Sequence, residues 1–189
     1  MMSRTWHRCQ PIDLHRMARN YFLNAKKIEL QMLARELGIS RATAYRWAGS
    51  TEQLIGDVVA SLLVDAIDEL EGETETLSGV ERIVAVMDGL LQRTTEHVSL
   101  VRYIKHNPRQ GLKVLASDGG VVRPKLMDRI ELLLLREKDR CHIEIAASAA
   151  QAAAVLVRLF ESYAYNDPIV GEAAEPEGFS AAVTLVLSA

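Results

Sequence analysis

Residues 30–47, LQMLARELGISRATAYRW, constrain the fold of this 189-residue chain more than any other stretch. Leu30, Leu33, Ala34 and Leu37 recur at helical spacing, and Gly38 follows directly. A glycine there can take the positive φ that ends a helix at little steric cost. Ile39 supplies an apolar plug for the corner, and the Ser40 side chain can accept a hydrogen bond from the first turn of a second helix. That second helix, Arg41-Ala42-Thr43-Ala44-Tyr45-Arg46-Trp47, begins with small and hydrogen-bonding residues and carries two arginines. The layout is that of a helix-turn-helix, whose second helix presents its first residues to the major groove. Duplex DNA is the partner it implies.

The charge distribution agrees. The net charge is −3, yet residues 1–50 hold nine Lys/Arg against three Asp/Glu and are +6, leaving −9 on residues 51–189. A basic segment joined to an acidic one suits a protein that touches phosphate with one end only.

Aromatic residues make up only 5%, and the abundance of Ala, Leu and Val favours helix over sandwich. The periodicity predicts an all-α chain of about nine helices with no convincing strand. A three-helix head (1–50) is followed by a helical-bundle body (51–189) for regulation and dimerisation. Pro11 sits near the start of the first helix, about 11–25, where its missing N–H costs nothing. Ser50-Thr51-Glu52-Gln53 is a capping box opening the fourth, long enough to lead from head into body. The clearest break is 71–79, EGETETLSG, after which Ser78 and Glu81 form a second box. Leu132 to Leu135 are apolar on every face, which places helix 122–138 at the middle of the body. Helix 143–165 is Ala-dense and is expected to stop at Asn166-Asp167-Pro168.

Several classes are excluded. Cys9 and Cys141 have no CxxC partner and no His at ligand spacing, so free thiols in a reducing compartment are expected, with no metal and no cofactor. Residues 1–12 lack an apolar targeting core, and the longest apolar stretch, 145–157, is too short to span a bilayer. A cytoplasmic location follows. No G-x-S-x-G, HExxH or phosphate-binding glycine loop is present, so no enzyme is expected.

The segment 11–55 resembles the TetR family of one-component bacterial repressors. The resemblance rests on the apolar first helix, LAREL-GIS, Tyr45 with Trp47 two places on, Gly49-Ser50, and Glu52 with Leu54. RATAYRWAGSTEQLIG and ESYAYNDPIVGE are similar to the subgroup that regulates lactone-degrading quorum-quenching operons, which implies a lactone or its acyl product as inducer. Two positions depart from the family pattern. Glu29 stands where Thr or Ser usually meets phosphate, and Thr51 where a Lys is common. Lys26 and Lys27, a few residues upstream, could compensate.

Arg41 and Thr43 lie at the entrance of the recognition helix; Arg suits guanine O6/N7, and Thr a phosphate or thymine methyl. Tyr45 resembles the family's phosphate-contacting tyrosine, with an ordinary half-buried ring as the alternative. Arg46 could equally be a phosphate clamp or a solvated arginine. Ala42 and Ala44 would permit close approach, and Trp47 is assigned to the head's core with Phe22, Leu33 and Leu37. Lys26, Lys27 and Thr51 complete the expected DNA-contacting set.

In the body, Met87, Leu91, Tyr103 and His106 could line a pocket with Met127, Ile130, Leu134 and Phe160, although core packing or surface exposure explains each without one. Ala146, Ala149, Ala150, Ala153 and Val157 leave one small face on helix 143–165. With Val183 and Leu187 that face is read as a dimer interface, the alternative being tight packing inside one chain. The reading that unites these features is a ligand-responsive DNA-binding transcriptional regulator, a repressor acting as a homodimer on a near-palindromic operator, with an apolar or amphipathic effector and no membrane. A helical protein-interaction module and an effector-independent regulator are the alternatives.

Overall fold

The computed structural model describes residues 9–106, 108–117, 119–143, 147–170 and 176–188. They form ten helices and, among the described residues, no strand. The chain divides into two compact units, Met1–Val58 and Val59–Ala189, and the division falls inside a single helix.

The first unit contains α1 (Pro11–Leu23), α2 (Leu30–Glu36), α3 (Arg41–Ala48) and the start of α4 (Thr51–Glu73). Pro11 takes the first position of α1, and the Gln10 N–H donates to Asp13 Oδ2 at 2.8 Å, closing a capping box. α2 ends as its sequence dictates. Gly38 adopts φ +67°, the Ile39 N–H donates to the Ala34 carbonyl at 3.0 Å, and the Gly38 N–H to that of Arg35 at 3.2 Å. These are the paired bonds of a Schellman motif, which satisfy carbonyls the helix leaves open. Leu14, Ala18, Phe22, Leu30, Leu33 and Ala44 are all buried between the three helices. Each large side chain so buried contributes about 1.5–3 kcal/mol.

The second unit adds α5 (Gly79–Glu96), α6 (Val98–His106), α7 (Pro108–Ala116), α8 (Val122–Cys141), α9 (Ala149–Val170) and α10 (Pro176–Leu187). Its hub is α9, which packs against α5, α6, α7, α8 and α10. The four consecutive leucines had pointed to α8 instead. Four successive residues encircle a helix, so only Leu133 and Leu134 turn inward, while Leu132 and Leu135 are 48% and 41% exposed. α9 suits the centre because Ala152 and Ala153 let neighbouring helices come close. It also begins later than its composition suggests. Ser148 Oγ accepts the Gln151 N–H at 3.2 Å while Gln151 Oε1 accepts the Ser148 N–H at 3.1 Å, a capping box that starts the helix at Ala149. The expected stop at Asn166-Asp167-Pro168 is passed, and α9 ends at Val170.

Ion pairs, some buried and some with one partner in solvent, pin the second unit together. Glu137 on α8 is wholly buried, accepting the Gly79 N–H at 2.8 Å and the Arg82 guanidinium at 2.6 Å. The first turn of α5 is therefore capped from another helix, and the Ser78 side chain makes no capping bond. Arg129 of α8 bridges Asp68 and Glu71 of α4 at 2.5 and 2.9 Å, and Arg136 reaches Glu71 at 2.9 Å. Hydrogen bonds to Glu71 and Asp68 outweigh desolvation and hold the Arg129 pKa above its ordinary value.

Candidate nucleic-acid interface

α3 is built to show one face and hide the other. Ser40 Oγ accepts the Thr43 N–H at 3.1 Å and lies 2.9 Å from Thr43 Oγ1, so Thr43 helps cap its own helix. Ala44 and Ala48, one turn apart, are buried. Ala44 therefore packs inward and is not the residue of close DNA approach that its size suggested. The opposite face carries Arg41, Ala42, Tyr45 and Arg46, all exposed, with Thr43 half-buried beside them. The Arg41 guanidinium lies over the Tyr45 ring, 5.4 Å from its centroid, an arrangement that orders both side chains. Among the described residues, neither Arg41 nor Arg46 pairs with a carboxylate.

The far end of α3 is equally defined. Gly49 takes φ +69°, and a Cβ there would stand 2.2 Å from the Gln53 side chain, which folds back over it. Ser50 Oγ then accepts the Gln53 N–H at 3.0 Å, placing Thr51, half-buried, at the first position of α4. Trp47 is not enclosed with Phe22, Leu33 and Leu37. It is half-buried and lines a shallow cleft of about 270 Å3 with Pro11, Ile12, Leu14 and Leu54, because α3 turns that side toward the start of α1.

The basic residues ahead of α2 are already engaged. Lys27 Nζ holds Glu29 Oε1 at 2.5 Å, and that hydrogen bond raises the lysine pKa. Glu29 makes no side-chain cap on α2. Lys26 Nζ lies 5.3 Å from the centroid of Tyr21, whose hydroxyl donates to Glu36. Of the two lysines expected to compensate for the missing phosphate contacts, Lys27 is paired with Glu29 and Lys26 rests on a ring.

In the second unit, Met87, Ile130, Leu134 and Phe160 are wholly buried and Leu91 nearly so, on α5, α8 and α9, which pack against one another. Tyr103 and Met127 are half-buried. His106 stands outside this group, exposed, with Nδ1 2.9 Å from the Arg102 carbonyl of its own helix. The residues read as a dimer face divide in the same way. Ala153, Val157, Val183 and Leu187 are buried within the protomer, because α9 and α10 turn those positions toward α5, α8 and each other. Ala149 is half-buried, Ala150 is exposed, and Ala146 lies outside the described residues. Among the described residues, the large apolar side chains that do face outward on these helices are Val155 and Ile169 on α9, 50% and 37% exposed, and Leu185 on α10, 76% exposed.

Sequence reasoning missed a polar group in this interior. Arg123 on α8 binds Glu161 on α9 through two nitrogens, Nε at 2.9 Å and Nη2 at 2.6 Å, in a pair 13% and 8% exposed. Tyr165 lies one turn beyond Glu161. The only signal in the sequence is an acid and a phenol four apart on an otherwise apolar helix. Among the described residues, no group of three or more potential ligands could hold a metal, and no helix is long and apolar enough to cross a membrane. Both cysteines are free and half-buried.

Comparison with known proteins places this arrangement. Residues 78–188 match the model of the tetracyclin repressor-like C-terminal domain. Among solved structures, the Rhodococcus erythropolis transcriptional repressor QsdR is similar over 94% of this chain and 93% of its own, at 22% identity and a TM-score of 0.86. The repressor AlkX from a Dietzia strain, implicated in biodegradation of n-alkanes, covers 97% and 95% at 17% identity and 0.64. Bacillus subtilis FadR in complex with stearoyl-CoA covers 95% and 98% at 11% identity and 0.56. No curated protein sequence matches. These likenesses establish the fold, and the match over more than half of the chain establishes the lineage: the chain belongs to the TetR family of transcription regulators, which are not enzymes.

Proposed function

We propose that the protein is a homodimeric repressor whose first unit reads a near-palindromic operator and whose second unit binds a small apolar or amphipathic effector. The observation that carries the DNA-reading part is the exposed face of α3. Arg41 and Arg46 lack carboxylate partners among the described residues, and Arg41 is braced by Tyr45, with Ser40 and Thr43 fixing the helix start. Arg41 would read a guanine edge, while Thr43, Tyr45, Arg46, Thr51 and Lys26 would hold backbone phosphates. Two such heads must lie about 34–36 Å apart to meet successive major grooves.

The dimer face falls to the outward positions of α9 and α10, around Ala150, Val155 and Leu185. The effector site falls to the interior of α5, α8 and α9. α4 contributes residues to both units, so an effector that displaces it would alter the heads. A coupling of about 1–3 kcal/mol suffices for regulation.

The test is a salt-titrated binding measurement of the purified protein on its own upstream DNA, with random duplex as control. A preference for the upstream duplex and a steep loss of affinity with salt are expected, each neutralised phosphate adding about 0.9 to the slope. Equal and salt-independent binding to both would defeat the proposal.

A further inference from the structure

Tyr165 is 3% exposed, and its phenolic oxygen is buried with no hydrogen-bond partner among the described residues. Buried hydroxyls in folded proteins nearly always have a partner, so one without invites a group from outside the chain. Its surroundings narrow what that group can be. Burial raises the phenol pKa, Glu161 raises it further and Arg123 opposes them, so the hydroxyl keeps its proton and acts as a donor. The Phe160 ring stands edge-on at a centroid distance of 6.2 Å, offering apolar surface alongside.

We propose that the Tyr165 hydroxyl is the polar anchor of the effector site, donating to an uncharged oxygen acceptor, such as an ester or ketone carbonyl, on an otherwise apolar ligand. The proposal rests on the effector-binding reading of the second unit. Charge excludes the alternatives. The Arg123 guanidinium already meets Glu161 through two nitrogens, so an incoming carboxylate would face the Glu161 charge with its counter-ion committed. An incoming ammonium would have to take Glu161 from Arg123. A neutral acceptor needs neither rearrangement and completes the one hydrogen bond the phenol lacks.

The experiment uses methyl octanoate and octanoate as probes of equal chain length. Their affinities for the full-length protein and its Tyr165→Phe variant are measured by calorimetric titration, with a melting curve for each protein. The wild type is expected to bind the ester about tenfold or more tightly than the acid, and Tyr165→Phe to lose about tenfold in ester affinity, the scale of one hydrogen bond. The variant should melt no lower than the wild type, because the hydroxyl contributes no bond to the unliganded fold. Unchanged ester affinity in the variant, equal affinity for the acid, or no ester binding by the wild type would each overturn the proposal. So would a lowered melting point with ester binding intact, which would reveal a partner inside the fold. The DNA-bound protein separates this assignment from the regulatory reading. Ester that releases the variant as readily as the wild type leaves regulation standing and removes the anchor. Ester that binds the wild type through Tyr165 yet leaves DNA binding untouched keeps the anchor and removes the regulation.

Discussion

The two units use charge in opposite ways. In the first, ion pairs lie in solvent: Arg16 with Asp13, side chains 74% and 34% exposed, and Lys27 with Glu29, 82% and 42% exposed. Pairs of this kind contribute about 0–1 kcal/mol. In the second, Arg82 with Glu137, Arg123 with Glu161 and Arg129 with Glu71 have side chains no more than 13% exposed. There a lone charge would be costly, so each of these three arginines is matched by a carboxylate, and Arg82 by the Glu71 carbonyl as well. Charge in the first unit is available to a partner, whereas in the second it is spent on holding helices together.

The largest test of this contrast is Glu137→Ala, which strands Arg82 and the Gly79 N–H in the interior. A loss of about 3–5 kcal/mol is expected in urea denaturation followed by circular dichroism. A loss below about 1 kcal/mol would put the buried pairs on the same footing as the exposed ones. Arg41→Ala comes next. It should remove about 1–3 kcal/mol of discrimination between the upstream duplex and random DNA, with the melting curve unchanged. Footprints identical to wild type would show that Arg41 does not read bases.

Glu29→Gln asks whether an exposed pair also restrains DNA binding. Freed from its carboxylate, Lys27 should tighten binding and steepen the salt dependence by about one phosphate, ~0.9 in slope. An unaltered slope would mean that Lys27 stands clear of the backbone. The smallest effect is expected at Asp88, a carboxylate of the second unit answered by a hydroxyl, Ser180 Oγ at 2.8 Å. Burial raises its pKa, only partly offset by Ser180, so the folded chain holds this proton more tightly than the unfolded chain does. Stability associated with the protonated form is present below the unfolded pKa and lost as pH rises through the folded one. Asp88→Asn should thus melt slightly above wild type at neutral pH, with the difference vanishing in acid. A pH-independent difference would remove the carboxyl as its cause.

Legibility in the sequence follows the range of the interactions. The turn after α2 could be read because Gly38, Ile39 and Ser40 act within a few residues of one another, and their bonds form as local rules demand. The Ser148–Gln151 box was equally local, but it was hidden inside an Ala-rich run that looked helical throughout. Glu137 was not legible, because a buried acid in a charged helix reads like any solvated one until the Gly79 backbone, 58 residues earlier, is brought against it. The same limit applied to the faces of α9 and α10. Periodicity grouped Ala153, Val157, Val183 and Leu187 on apolar stripes, and only the packing of neighbours showed those stripes to be consumed within one chain.

The bond from Gly79 to Glu137 also sets an order of events in synthesis. Helices α1, α2 and α3 of the first unit are complete once residue 48 has been made, whereas the cap on α5 waits for most of α8 to be translated. Contacts between such distant residues carry a larger loop-closure cost and form late. During translation the α5 start is thus left without its cap, with Val86, Met87 and Leu90 of the same helix still seeking neighbours. That interval is when this chain is most exposed to aggregation, and a chaperone would be needed at that stage rather than while the first unit folds.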